Sequence, residues 1–244
     1  MIPKEQNQKL LEGIEKKIGI KFKNKNLLKE ALTHRSFLNE NSNWSPNHNE
    51  RLEYLGDAVL ELIVTEFLFK KYPKYQEGDL TSIRAALVNH IMLFTVAKDI
   101  DLEKFIYLSK GEAKDFSKAK NAILSNAVEA LIGAVYLDQG YEITKNFISK
   151  NILTHLKEVF EKELFIDSKS LLQEIIQEKL KLTPTYKILE EEGPDHKKEF
   201  IAGVLFGQKI IAKGKGLSKQ EAERNAAAAA LKVVKTKWPP SSKD

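Results

Sequence analysis

The chain has 244 residues, of which 42% are hydrophobic and 30% are charged, and it contains no cysteine. This composition is typical of a folded globular protein, and it excludes disulfide bonds, thiolate metal sites and a cysteine nucleophile. It fits a reducing, cytoplasmic environment. Because no apolar run approaches the roughly 18 residues that span a bilayer, we expect no membrane segment, and the N-terminus lacks the apolar region of a secretory signal.

The net charge of +5 comes from the last third of the chain. Residues 1–167 carry 24 Lys or Arg and 24 Asp or Glu, whereas residues 168–244 carry 15 Lys or Arg and 10 Asp or Glu. A basic segment after a neutral one suggests a polyanion-binding module joined to a second domain. A charge excess of this size is also typical of an ordinary solvated surface.

Helical periodicity dominates the chain from Lys9 to about His155. Apolar residues recur there at intervals of three and four, and no alternation typical of strands is present. The breaks fall at turn-forming sequences, which are 41–49, Tyr72-Pro73, 77–79 and Gln139-Gly140. We therefore predict an all-α domain over residues 1–165.

A different pattern follows. Residues 171–180 continue as a helix, residues 185–189, 199–206 and 208–213 alternate as short strands, and residues 219–234 form an alanine-rich helix. The order α-β-β-β-α predicts a small α+β domain over residues 166–237, with a flexible tail at 238–244. We interpret Gly214-Lys215-Gly216 as a break after the third strand. It lacks the spacing of a P-loop, so we expect no nucleotide cofactor.

Three carboxylates share one face of the helix predicted from about residue 50. Glu50, Glu53 and Asp57 fall within about 60° of one another at 100° per residue. Like charges this close repel, so a cation should lie against them, and carboxylate oxygens are the ligands that Mg²⁺ prefers. Gly56 is unfavourable inside a helix, which suggests that another backbone approaches it closely. The alternative to a metal is a set of salt bridges with arginines such as Arg35, Arg51 or Arg84.

A fourth acid lies on a second apolar helix. Glu129 is the only charged residue between Lys120 and Asp138. A lone carboxylate in such a helix is costly unless it is paired. Asn126 lies one turn earlier on the same face.

These segments resemble the ribonuclease III family. Residues 49–60 are similar to its signature helix, residues 31–37 to its N-terminal motif, and residues 128–134 to its second acidic helix. The C-terminal segment resembles the double-stranded-RNA-binding domain of the bacterial enzymes. The match covers nearly the whole chain in the expected domain order.

The resemblance implies an endoribonuclease that hydrolyses double-stranded RNA with Mg²⁺, or Mn²⁺ as a substitute, in the processing of rRNA and other RNAs. Products would carry 5′-phosphate and 3′-hydroxyl ends with short 3′ overhangs. The implied metal-binding residues are Glu53, Asp57, Asn126 and Glu129. Glu50 and Glu77 match the family's additional acidic catalytic positions.

One position departs from the family pattern. Three residues before the acid that matches Glu129, the family usually has Asp, whereas this chain has Asn126. An amide oxygen can coordinate a metal but carries no charge, so metal affinity or rate could fall. The alternative function is therefore a catalytically impaired protein that binds double-stranded RNA.

The resemblance also implies two kinds of partner. The family is homodimeric, and Tyr54 matches an aromatic residue that inserts into the partner subunit, with ordinary core packing as the alternative. The other partner is the RNA duplex. Its implied contacts are Gln173 and Glu174 on the first helix of the C-terminal domain, Pro194, Asp195 and His196 in the loop between the first two strands, and Ser218, Lys219 and Gln220 at the start of the last helix. Ser218 and Glu221 have the spacing of a capping box, which favours a phosphate at that helix end.

Overall fold

The computed structural model describes residues 4–165, 167–194 and 198–237. The chain divides into two compact units, with the boundary after Phe165. The first unit is helical, which confirms the predicted all-α fold. Its helices are α1 (Lys4–Ile18), α2 (Lys25–Ala31), α3 (Arg35–Glu40), α4 (Glu50–Lys71), α5 (Glu77–Val88), α6 (His90–Asp99), α7 (Lys110–Gln139), α8 (Tyr141–Asn151) and α9 (Leu156–Glu161), with short 3-10 helices at Leu102–Phe105 and Leu153–His155.

Helices α4 and α7 form the centre of this unit, and they touch backbone to backbone. A Cβ atom placed on Gly56 would lie 2.6 Å from the carbonyl carbon of Glu129, and one placed on Gly133 would lie 3.2 Å from the carbonyl carbon of Leu52. Only glycine fits at such a crossing. The close approach expected at Gly56 is therefore confirmed. This backbone contact fixes the relative positions of the side chains one turn away on the two helices.

The segment at residues 31–37 ties the starts of α4 and α7 together. The carbonyl of Thr33 accepts from the backbone N–H of Asn49, which precedes α4, at 2.9 Å. The hydroxyl of Ser36 accepts from the backbone N–H of Ser109, which precedes α7, at 3.2 Å. This motif thus anchors the two helices that carry the acidic side chains.

The second unit has the predicted α-β-β-β-α order. Helix α10 is followed by an antiparallel sheet in the order β1-β2-β3 and by α11. Both helices contribute to a core with the sheet, which includes Leu172, Ile176, Val204 and Ala226. The bounds are α10 (Ser168–Leu180), β1 (Thr185–Glu192), β2 (Glu199–Phe206), β3 (Lys209–Gly216) and α11 (Lys219–Lys237).

The interpretation of Gly214-Lys215-Gly216 as a break was wrong, because these residues continue β3. A Cβ atom on Gly214 would lie 2.5 Å from the carbonyl oxygen of Ala222, and one on Gly216 would lie 2.5 Å from the backbone nitrogen of the same residue. The two glycines therefore let α11 lie directly on the strand. Strand β1 is also longer than predicted, since it continues through Glu192.

Some expectations fall on residues that the structure does not describe. Asp195, His196 and the tail at 238–244 lie outside the described ranges. Within those ranges, no single helix is both long and apolar enough to cross a membrane, although the bent pair α5 and α6 reaches the required length and composition together.

Candidate active site and RNA-binding surface

Acidic side chains from α4 and α7 meet beside the glycine crossing. Glu129 is half-buried, and its burial, together with the charges of Asp57 and Glu53, raises its pKa to about 8. These mutual effects show that the three carboxylates lie close enough to repel one another. The structure thus brings together side chains that are 72 residues or more apart in the sequence.

Asn126 belongs to the same group. Burial raises the pKa of Glu53, and a hydrogen bond from the Asn126 side chain partly offsets that effect. The amide oxygen of Asn126 faces the hydroxyl of Ser125 at 3.4 Å. The Asn126 side chain therefore contacts Glu53 and belongs to the acidic group, and its role as a metal ligand stays a prediction.

Glu50 shares a face with Glu53 and Asp57 and also contacts two basic side chains. Its carboxylate is 3.3 Å from a guanidinium nitrogen of Arg35 and 3.8 Å from Nδ1 of His48. Its charge still helps to raise the pKa of Glu53. For Glu50, the salt-bridge alternative with Arg35 describes the structure.

Glu77 lies on a different helix from the acidic group. It begins α5, and its carboxylate accepts from the hydroxyl of Thr81 at 3.2 Å. The charges that raise the pKa values of Glu53 and Glu129 all come from α4. The catalytic role that the resemblance implies for Glu77 stays a prediction.

The donor set suits a divalent cation of the Mg²⁺ type. Among the described residues, no three side chains of His, Cys, Asp or Glu are grouped closely enough to form a preformed metal cage. Mg²⁺ needs no such cage, because it keeps several waters and is commonly held by one or two carboxylates together with substrate phosphates. Burial and then the charges of Asp57 and Glu53 raise the pKa of Glu129, and a cation would offset both effects. Asp57, Glu129 and Glu53 are therefore the fitting ligands.

The predicted RNA contacts in the second unit are exposed where the structure describes them. Gln173 and Glu174 lie on the solvent side of α10, and Pro194 follows β1 in the loop. At the start of α11, the hydroxyl of Ser218 accepts from the backbone N–H of Glu221 at 3.1 Å. The carboxylate of Glu221 in turn accepts from the backbone N–H of Leu217 at 2.8 Å.

Family models match both structural units of the chain. A family model described as "Ribonuclease-III-like" matches residues 24–156, and a "Double-stranded RNA binding motif" model matches residues 168–234. The chain belongs to the ribonuclease III family. This confirms the predicted class of enzyme, an endoribonuclease followed by a double-stranded-RNA-binding domain.

The similar proteins cover nearly the whole chain. "Ribonuclease 3" of a Nitratiruptor species is 45% identical over 94% of this chain and 99% of its own length. "Ribonuclease 3" of Borreliella afzelii is 44% identical over 94% of this chain and 93% of its own. A solved nuclease domain of ribonuclease III from Campylobacter jejuni, described as having a region involved in dimer formation, is 46% identical with a TM-score of 0.52 and covers 58% of this chain and 97% of its own.

Tyr54, the residue expected at a ribonuclease III subunit interface, is 83% exposed. The core-packing alternative for this residue was wrong. Leu62 and Phe69 of the same helix are 58% and 71% exposed. At 100° per residue these three side chains lie within about 80° of one another, so they form one apolar stripe along α4.

Sequence reasoning missed one ion-paired residue beside the start of α11. Glu191 of β1 lies 3.0 Å from the ammonium group of Lys219 and 2.9 Å from that of Lys198. It is the middle member of a run of three glutamates. Nothing in that run distinguishes it from its neighbours, because the strand register decides which of the three faces α11.

Proposed function

We propose that this chain is a Mg²⁺-dependent endoribonuclease that hydrolyses phosphodiester bonds in double-stranded RNA and leaves 5′-phosphate and 3′-hydroxyl ends with short 3′ overhangs. The observation that carries the proposal is the group formed by Glu53, Asp57 and Glu129 at the α4–α7 crossing, in a chain that also carries a double-stranded-RNA-binding domain. By family, the substrates are rRNA precursors and other structured RNAs in the cytoplasm.

In the active site, Glu53, Asp57 and Glu129 would hold the metal ion. When bound, Mg²⁺ supplies a water molecule of lowered pKa and neutralises charge on the phosphate oxygens. At neutral pH the Glu129 carboxyl group holds a proton in the free protein, because its pKa is about 8, so ligation requires the loss of that proton. Asn126 orients Glu53 through its hydrogen bond. The glycine crossing keeps both helices at the separation that these contacts need.

The second domain would bind the duplex by its shape. Double-stranded-RNA-binding domains contact two successive minor grooves and the phosphates between them, over about 16 base pairs. Gln173, Glu174 and the loop that includes Pro194 are the proposed minor-groove contacts. Ser218, Lys219 and Gln220 are the proposed phosphate contacts, and the free N–H groups and dipole at the start of α11 support them.

The proposed enzyme is a homodimer. Its support is the stripe of Tyr54, Leu62 and Phe69, because monomeric soluble proteins rarely expose large contiguous apolar patches. Asp57 lies about 60° from Tyr54 around α4, so each active site would border the subunit interface. In such a dimer each subunit cuts one strand.

The alternative function, an impaired RNA-binding protein, has no support beyond Asn126. Glu53, Asp57 and Glu129 are all present, and their charges interact. Among these four positions, only Asn126 departs from the family pattern, by the loss of one carboxylate.

The proposed activity is tested by incubating the purified chain with Mg²⁺ and a long RNA duplex, its single strand, or a DNA duplex of the same sequence. We expect cleavage of the RNA duplex alone. Glu129→Gln should lower the rate by about a thousandfold, or ~4 kcal/mol in activation free energy. Glu142→Gln, which makes the same change on the exposed side of α8, should cleave normally. An intact RNA duplex at all Mg²⁺ and Mn²⁺ concentrations would refute the proposal.

A further inference from the structure

One carboxylate of the second domain lies between two lysines. The Oε1 atom of Glu191 is 3.0 Å from Nζ of Lys219, and its Oε2 atom is 2.9 Å from Nζ of Lys198. Both ammonium groups lower the pKa of Glu191, so the carboxylate is ionised at neutral pH. Lys198 precedes β2 and Lys219 begins α11, so Glu191 joins cations from two separate elements.

The same two lysines share an aromatic ring. Nζ of Lys219 is 5.7 Å from the ring centroid of Phe200, and Nζ of Lys198 is 5.9 Å from it. Phe200 is paired with Glu191 in the β1–β2 register, and directly opposed residues of an antiparallel pair project from the same face of a sheet. The ring and the carboxylate therefore hold each lysine at two points.

We propose that Glu191 is a positioning residue for duplex-RNA binding, which fixes Lys198 and Lys219 side by side for the phosphate backbone before RNA arrives. This inference rests on the proposed function. A lysine side chain that is already ordered loses less freedom when it binds a ligand, so a fixed pair binds more tightly than a mobile pair. An ammonium group has three N–H donors, so Lys219 can keep its contact with Glu191 and still donate to a phosphate.

A purely electrostatic view predicts the opposite change in RNA affinity. The direction of the change in Kd therefore tests the inference. Glu191→Gln removes a negative charge from a domain that binds a polyanion, and electrostatic attraction alone would then strengthen RNA binding. Loss of positioning would weaken it. Glu190 provides a matched control, because it is the adjacent residue on the opposite face of β1 and its carboxylate lies 4.0 Å from Lys213 instead.

The experiment measures binding of the full chain to an RNA duplex of about 20 base pairs, in chelator so that no cleavage occurs, over a range of salt concentrations. We expect Glu191→Gln to raise the Kd about threefold to tenfold. The slope of log Kd against log salt concentration should fall by about one, which corresponds to the loss of one phosphate contact. Glu190→Gln should leave the Kd unchanged or lower it. If Glu191→Gln binds as tightly as Glu190→Gln, or more tightly than the wild type, the inference is wrong.

A mutant cycle in a Lys198→Gln/Lys219→Gln background separates positioning from a general loss of structure. If Glu191 acts through these two lysines, then Glu191→Gln should cause little or no further loss of affinity in that background. An equal loss in both backgrounds would mean that Glu191 only supports the fold, and it would overturn the inference. A wild-type chain that does not bind duplex RNA would instead refute the proposed function itself.

Discussion

At the scale of single residues, the acidic side chains beside the glycine crossing have different surroundings. Asp57 is exposed to solvent, whereas Glu129 is half-buried against α4 and its pKa is raised to about 8. Glu50 differs from both in its contact with Arg35. Three carboxylates from two helices thus have three distinct environments.

The raised pKa of Glu129 makes the metal-free protein less stable at higher pH. Its ordinary pKa is 4.5 and its folded-state pKa is about 8, so the stabilising contribution of the protonated form is complete below pH 4.5 and is lost as the pH rises through 8. We expect the free energy of unfolding of the wild type, relative to Glu129→Gln, to fall by about 2 kcal/mol or less, since partial exposure screens the repulsion. Urea unfolding in chelator at pH 5, 6, 7 and 8 measures this difference, and a constant difference would contradict it.

Asn126→Asp should strengthen metal binding. The change adds a carboxylate beside Glu53 and removes the hydrogen bond that Asn126 donates. We expect about tenfold tighter Mg²⁺ or Mn²⁺ binding, or ~1.4 kcal/mol, together with lower stability of the metal-free protein from added repulsion. Calorimetric titration measures the affinity. Asn121→Asp, an exposed position on the same helix, is the control and should have no such effect. Equal affinities for Asn126→Asp and the wild type would contradict the prediction.

The sequence predicts the positions of some of these residues but not the contacts of others. Glu53, Asp57 and Glu129 could be found because carboxylates on apolar helices are costly and conspicuous. The choice of Arg35 as the ion-pair partner of Glu50 could not be found, since it depends on where a neighbouring helix places Arg35. The role of Glu191 depends in the same way on strand register.

At the scale of secondary structure elements, the α4–α7 crossing determines the geometry of the active site. Gly56→Ala would place a methyl group 2.6 Å from the carbonyl carbon of Glu129 and 2.9 Å from the backbone nitrogen of Gly133. Backbone atoms cannot move aside as a flexible side chain can, so the helices must separate. The distance between the acids of α4 and Glu129 would then increase.

We therefore expect Gly56→Ala to destabilise the protein by about 3 kcal/mol, even though alanine favours helix by about 1 kcal/mol, and to reduce activity. Gly78→Ala is the matched control, because it lies in α5 and a Cβ there would have no neighbour within 4 Å. Urea unfolding of both variants tests this. A Gly56→Ala protein as stable as Gly78→Ala would show that the crossing is not tightly packed.

The elements themselves were predicted well where periodicity is strong, as in the helices of the first unit and in α10 and α11. The end of β3 was not, because Gly214 and Gly216 have the sequence signature of a turn. Their actual role is to let α11 approach the strand. A local pattern cannot show whether glycine serves a turn or a close contact between distant elements.

At the scale of the whole molecule, the apolar stripe on α4 predicts the assembly. Leu62→Asp should dissociate the dimer by placing a charge in an apolar interface. Leu137→Asp is a matched control, because Leu137 is 54% exposed on α7 and lies outside the stripe. Sedimentation velocity at micromolar concentration should show a monomer for Leu62→Asp and a dimer for Leu137→Asp. A wild type that sediments as a monomer would contradict the proposed assembly.

The most direct test of the account uses mixed dimers, in which one subunit is wild type and the other carries Glu129→Gln. If each chain holds one hydrolytic centre at the α4–α7 crossing, the mixed dimer should cut only one strand of an RNA duplex in the presence of Mg²⁺. The product would be a nicked duplex with a 5′-phosphate at the nick, while the wild-type dimer cuts both strands. Cleavage of both strands by the mixed dimer would place the chemistry elsewhere in the molecule.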